Sequence, residues 1–118
     1  MKTLALLVVA AGAMFAQGRS GAVSDGDVVN GRKLFLADGC YQCHGYAGQG
    51  GRAGARIGPP VLNAAGVIRY VRRPTGQMPA FTDKVISDQQ LTDIYAYLKT
   101  FPAATPAKDI PLLDSLRR

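Results

Sequence analysis

The chain has 118 residues, 47% of them hydrophobic, and 14 Lys and Arg against 8 acidic residues give a formal net charge of +6. That length holds one domain, and one this small buries only a limited fraction of its surface. The basic balance points to an acidic protein partner or to membrane headgroups and away from nucleic acid, or else serves only to keep the domain soluble.

In chain order, Lys2 followed by the apolar run Leu4 to Ala13 predicts a signal peptide over residues 1–16, cleaved after Ala13 or Ala16. The run is short for an uncleaved span, which needs about 20 apolar residues. No second hydrophobic segment follows, so the mature chain is expected to lack a transmembrane segment, to be periplasmic and to carry a charge of +5 once Lys2 is removed. Residues 17–24 are small and polar and predict a flexible lead-in.

The main domain is expected over residues 25–101. Ser24, Asp25 and Asp27 are N-cap candidates for a helix ending near Asp38, with Gly39 just beyond its C-terminus. Val28, Gly31, Leu34 and Phe35 share its apolar face. Gly31 inside a helix costs about 1 kcal/mol relative to Ala, which is understandable if another helix packs closely there.

Next comes Cys40-Tyr41-Gln42-Cys43-His44, which holds both cysteines and the single histidine. Cys-x-x-Cys-His is the pattern of covalent c-type haem attachment. On one helical turn these positions share a face, so Cys40 and Cys43 can form thioethers to the haem vinyl groups while His44 ligates iron. A structural zinc site needs about four ligands, and no further Cys or His completes one. A thioredoxin-like redox pair would sit near strand–helix alternation, which is missing, and a disulfide between residues three apart is a tight ring.

Gly45 to Leu62 is a glycine-rich loop without a phosphate-cradle pattern. Its stiff end, Gly58-Pro59-Pro60-Val61-Leu62, is either a loop exit or supplies a prolyl carbonyl, that of Pro59, to accept the Nδ1–H of His44. Asn63 caps a short helix from Ala64 to about Arg73 that buries Val67, Ile68 and Val71 and is ended by Pro74. Its Arg69, Arg72 and Arg73 face haem propionates, a partner or solvent. Met78 then lies between Pro74 and Pro79 in a stiff loop and, with no second histidine present, is the best candidate for a sixth iron ligand.

Ser87 and Gln90 form a capping box for a last helix in which Leu91, Ile94, Tyr95, Tyr97 and Leu98 follow at helical spacing before Pro102. Ile94 and Tyr97 are expected to meet the Gly31/Phe35 face. Residues 102–118 form a proline-rich tail whose Ile110, Leu112 and Leu113 pin it either to this domain or to a partner.

From about Asp27 to Phe101 this ordered set resembles a class I cytochrome c of the short bacterial monohaem type. The likeness rests on the Cys40–His44 motif, the Gly58–Leu62 stretch, Met78-Pro79, the Gly31/Phe35 pair and Ile94-Tyr95-Ala96-Tyr97-Leu98. The resemblance implies an all-α fold of a few short helices around one covalently bound haem c, with first and last helices crossing at Gly31 and Tyr97. It also implies His44 and Met78 as axial ligands, a hydrogen bond from His44 to Pro59, and one-electron transfer rather than catalysis. The loop after His44 is longer and richer in glycine than in the mitochondrial relatives, and the tail lies outside the family core.

The expected function is therefore Fe(II)/Fe(III) electron carriage, as a periplasmic shuttle or as the electron-transfer subunit of a periplasmic dehydrogenase, toward redox partners with an acidic docking face. The competing readings are a ligand-binding haem sensor or peroxidase-like protein, which requires Met78 off the iron, and a thiol oxidoreductase, which requires no haem.

Overall fold

A computed structural model describes residues 25–116. The expected signal peptide, 1–16, and lead-in, 17–24, lie outside the described residues. Every regular element among the described residues is helical: α1 (Val28–Ala37), α2 (Cys40–His44), α3 (Ala64–Arg72), α4 (Asp88–Leu98) and α5 (Pro111–Ser115), with a 3-10 turn at Ala107–Asp109. The all-α expectation holds.

Local chemistry sets where the helices begin. Of the three candidates for the first cap, Asp27 is used, and its carboxylate accepts from the Val29 and Asn30 N–H groups at 2.8 and 3.0 Å. Asn63 accepts from the Gly66 N–H at 2.8 Å. Ser87 and Gln90 form the reciprocal box, with the Ser87 N–H donating to Gln90 Oε1 at 2.8 Å and the Gln90 N–H to Ser87 Oγ at 3.2 Å. Each such cap typically stabilises its helix by about 1 kcal/mol. At the end of α1, Asp38 is the C-cap and Gly39 takes φ 73°, as its place after the helix predicts.

Helices α1 and α4 cross at Gly31, as expected. A Cβ there would overlap the Asp93 carbonyl and crowd the Ile94 amide, so the glycine permits backbone-to-backbone contact that no other residue allows. Around the crossing lie the buried hydrophobic residues Phe35, Ile86, Leu91, Ile94, Tyr97 and Leu98. Phe35 is 0% exposed, and burying such a ring stabilises by about 1.5–3 kcal/mol. Its ring centroid lies 5.6 Å from that of Tyr97, which in turn meets Phe101 edge-on at 5.0 Å.

Asp93 is the polar centre of the crossing and is only 5% exposed. Its carboxylate accepts from the Asp27 N–H at 2.9 Å, from Asn30 Nδ2 at 2.7 Å and from Gln89 Nε2 at 3.0 Å. Burial alone would push its pKa up; the hydrogen bonds from Asp27, Asn30 and Gln89 outweigh it and hold the carboxyl below its ordinary value. A buried carboxylate thus ties the start of α1 to the middle of α4.

The tail behaves differently. Arg56 Nη2 donates to the Pro102 carbonyl at 2.9 Å, which fastens the tail's first residue to the domain. Farther on, among the described helices α5 packs only against the 3-10 turn, and Leu112 and Leu116 are 72% and 73% exposed. No helix among the described residues is long and apolar enough to cross a membrane.

Candidate functional site

The core does not close on itself. Phe35, Ile86, Leu91, Ile94 and Leu98 also line a cavity of about 520 Å³ that Cys40, Cys43, His44 and Met78 reach from other parts of the chain. Cofactor sites commonly span roughly 300–1,000 Å³ and are mostly apolar with a few placed polar groups. This one fits that description. Val67 and Val71 of α3 are expected core residues, and both are half-buried because they line the cavity.

Helix α2 carries the attachment motif on little more than one turn, entered through Gly39 and closed by the Gly45 N–H bonding to the Tyr41 carbonyl at 2.8 Å. Cys40 and Cys43 are not joined in a disulfide. Burial, and secondarily the Asp38 carboxylate, push the Cys40 thiol up to about 11. Thiol–disulfide chemistry needs a thiolate, which Cys40 is thereby disfavoured from supplying. Asp38 lines the same cavity with its Oδ2 buried and unpartnered, and burial raises its own pKa. No group of three or more His, Cys, Asp or Glu among the described residues could hold a metal ion by itself, which sets the zinc reading aside.

His44 Nδ1 lies 2.7 Å from the Ala55 carbonyl oxygen. A carbonyl only accepts, so Nδ1 carries the hydrogen and Nε2 keeps its lone pair for a metal. This corrects the expectation for Pro59: its carbonyl does not hold His44, and Pro59, preceded by a cis peptide, is not among the cavity-lining residues. The reason lies in the path of the long loop. The Gly48 carbonyl accepts from both the Ile57 and Gly58 N–H groups, at 2.7 and 2.8 Å, which holds residues 57–58 against residue 48. The preceding turn, closed by Gly51 N–H to the Gly54 carbonyl at 2.9 Å, is thereby laid on α2. A Cβ at Gly54 would crowd the Cys43 backbone, so the small residues Ala53, Gly54 and Ala55 are what let the loop come close. The run of small residues was the available sequence signal.

Met78 is half-buried and lines the cavity together with Gln77 and Pro79. The sequence-predicted pair His44 and Met78, one on a helix and one on a loop, thus share a single apolar chamber with both cysteines. Of Arg69, Arg72 and Arg73, Arg72 turns inward to the chain. Its guanidinium donates to the Phe81 carbonyl at 2.9 Å, to the Ile86 carbonyl at 2.8 Å and to Asp88 Oδ1 at 2.6 Å. Its guanidinium is thus engaged within the chain, and the side chain is only 19% exposed. Arg69 and Arg73 are exposed.

A family model described as cytochrome c oxidase, cbb3-type, subunit III matches residues 26–98. The cytochrome bc1 complex cytochrome c subunit of Corynebacterium diphtheriae is 35% identical over 81 residues, which cover 66% of this chain and 28% of that relative. The chain thus spans well under a third of the length of the curated relative it matches. No solved structure matches. With the Cys-x-x-Cys-His turn, the shared chamber and the matched stretch in agreement, the chain belongs to this cytochrome c family and is a small class I-like cytochrome c, a haem protein of electron transfer.

Proposed function

We propose that this chain is a periplasmic monohaem carrier of single electrons, delivered there by residues 1–16 as a cleaved signal peptide. Bound haem c supplies a one-electron iron couple. Cys40 and Cys43 tether it through thioethers. His44 offers Nε2 because Ala55 occupies Nδ1, and Met78 offers its thioether sulfur as the other axial ligand. The core residues that line the chamber exclude water from it. The observation that carries this reading is the convergence of both cysteines, the single histidine and Met78 on one apolar cavity. If His44 and Met78 both bind the iron of a haem held there, no open position would be left for a substrate, and the role would be carriage.

The partner is proposed to be a redox protein with an acidic docking face. Arg56 is exposed and lines the chamber, Arg69 is exposed on α3 and Arg73 is exposed just beyond its end. Association should slow as salt screens these charges. Between shuttle and subunit, stable docking is favoured by the exposed Leu112 and Leu116 of the tail. The matched family and the relative are likewise named as an oxidase subunit and a bc1-complex subunit.

The test is voltammetry and carbon monoxide binding on the matured protein. A reversible one-electron wave with no carbon monoxide adduct is expected. A ready adduct in the reduced, unmutated protein would move the assignment to a ligand-binding sensor or peroxidase-like protein.

A further inference from the structure

The Met78 loop is held at both ends by three consecutive residues of α3. Three residues before Met78, Thr75 Oγ1 lies 2.9 Å from the Tyr70 hydroxyl. Three residues after it, both backbone polar groups of Phe81 are taken: its N–H donates to the Val71 carbonyl at 3.1 Å, and its carbonyl accepts from Arg72 Nη1 at 2.9 Å. The Arg72 side chain is only 19% exposed, and its other bonds, to Ile86 and Asp88, fix the segment that leads into α4. Between these anchors, residues 76–80 make no hydrogen bond among the described residues, and Gly76 has φ 71° with open space around it.

From this geometry we infer that Tyr70 and Arg72 are positioning residues that hold the Met78 sulfur in place for iron; the inference rests on the reading of Met78 as an axial ligand. A neutral thioether is a weak donor, and the loop that carries it must be ordered each time the bond forms. Anchors at residues 75 and 81 supply that order in advance, so less conformational freedom is lost on ligation. Neither side chain need touch the haem for this. Arg72 also places the Phe81 ring, which lines the chamber beside Met78.

The test uses oxidised, haem-loaded protein titrated with imidazole, which competes with Met78 for iron, and follows the long-wavelength absorption of the sulfur–iron bond. Tyr70→Phe removes one hydroxyl at a position 40% exposed and should tighten apparent imidazole binding about fivefold, the equivalent of one net hydrogen bond. Arg72→Lys keeps the charge but cannot reach three acceptors, and should tighten it about tenfold or more. Met78→Ala sets the upper limit. If Met78→Ala tightens imidazole binding while Tyr70→Phe leaves it unchanged, the anchors are merely structural and the inference is overturned, even if Arg72→Lys proves too unstable to load. If Met78→Ala itself changes nothing, the ligand assignment beneath the inference has failed instead.

Discussion

The two sides of Phe35 show two ways of making a core. On the α1/α4 side the polypeptide completes itself: Gly31 lets backbones touch, three donors satisfy the buried Asp93 carboxylate, and Phe35 packs on Tyr97. On the other side the same helices line a chamber of about 520 Å³ whose remaining walls are α2, one side of α3 and loops held by backbone bonds and by Arg72. The first region is specified by close packing of the chain against itself; the second is a shape that an apolar guest completes.

The difference can be broken from either side. The largest effect is expected from Cys40→Ser with Cys43→Ser, which should abolish covalent haem and, with it, cooperative unfolding measured by circular dichroism. Gly31→Val attacks the self-completed side: the added side chain meets the Asp93 carbonyl and should cost about 3 kcal/mol or more, read as a lower midpoint in denaturant with the haem still attached. Asp93→Ala takes the acceptor from the Asp27 N–H and from Asn30 Nδ2 and should cost about 1–3 kcal/mol.

Asp93 also predicts a pH dependence. Its folded pKa is lowered, so the stability it adds is full above the unfolded value of about 3.9 and is lost as pH falls through the folded one. Asp93→Asn should therefore flatten the acid limb of the stability curve, whereas an unchanged limb would show that other carboxyls govern it. Smaller still, Ser87→Ala should cost about 1 kcal/mol through the lost cap. Truncation after Ala104, which keeps the Pro102 carbonyl that Arg56 holds, should change stability by less than about 0.5 kcal/mol, because α5 packs against none of α1 to α4.

What could be read in the sequence divides along the same lines. Caps act over two or three residues, so Asn63 and the Ser87/Gln90 box were legible, and Asp27 was among the candidates. Cys40, Cys43, His44 and Met78 were legible because rare residue types stood in a telling order. The Ala55 partner of His44, the bonds of Arg72 to Ile86 and Asp88, and the bonds from Asp27 and Asn30 to Asp93 join residues 11 to 66 positions apart. Such pairs depend on how the loops are routed, and local pattern carries no trace of that. Pro59 shows the consequence: stiffness marked the right stretch, but the turn closed by Gly51 and Gly54 brought a different carbonyl to the histidine.

The central claim is that a haem is bonded to this chain through Cys40 and Cys43. Intact mass spectrometry of the matured protein, unfolded in acid and run beside the Cys40→Ser/Cys43→Ser variant, tests it most directly. One haem per chain that survives unfolding and disappears in the variant is expected. An unmodified mass for the unmutated protein, with haem absent or released on unfolding, would contradict it.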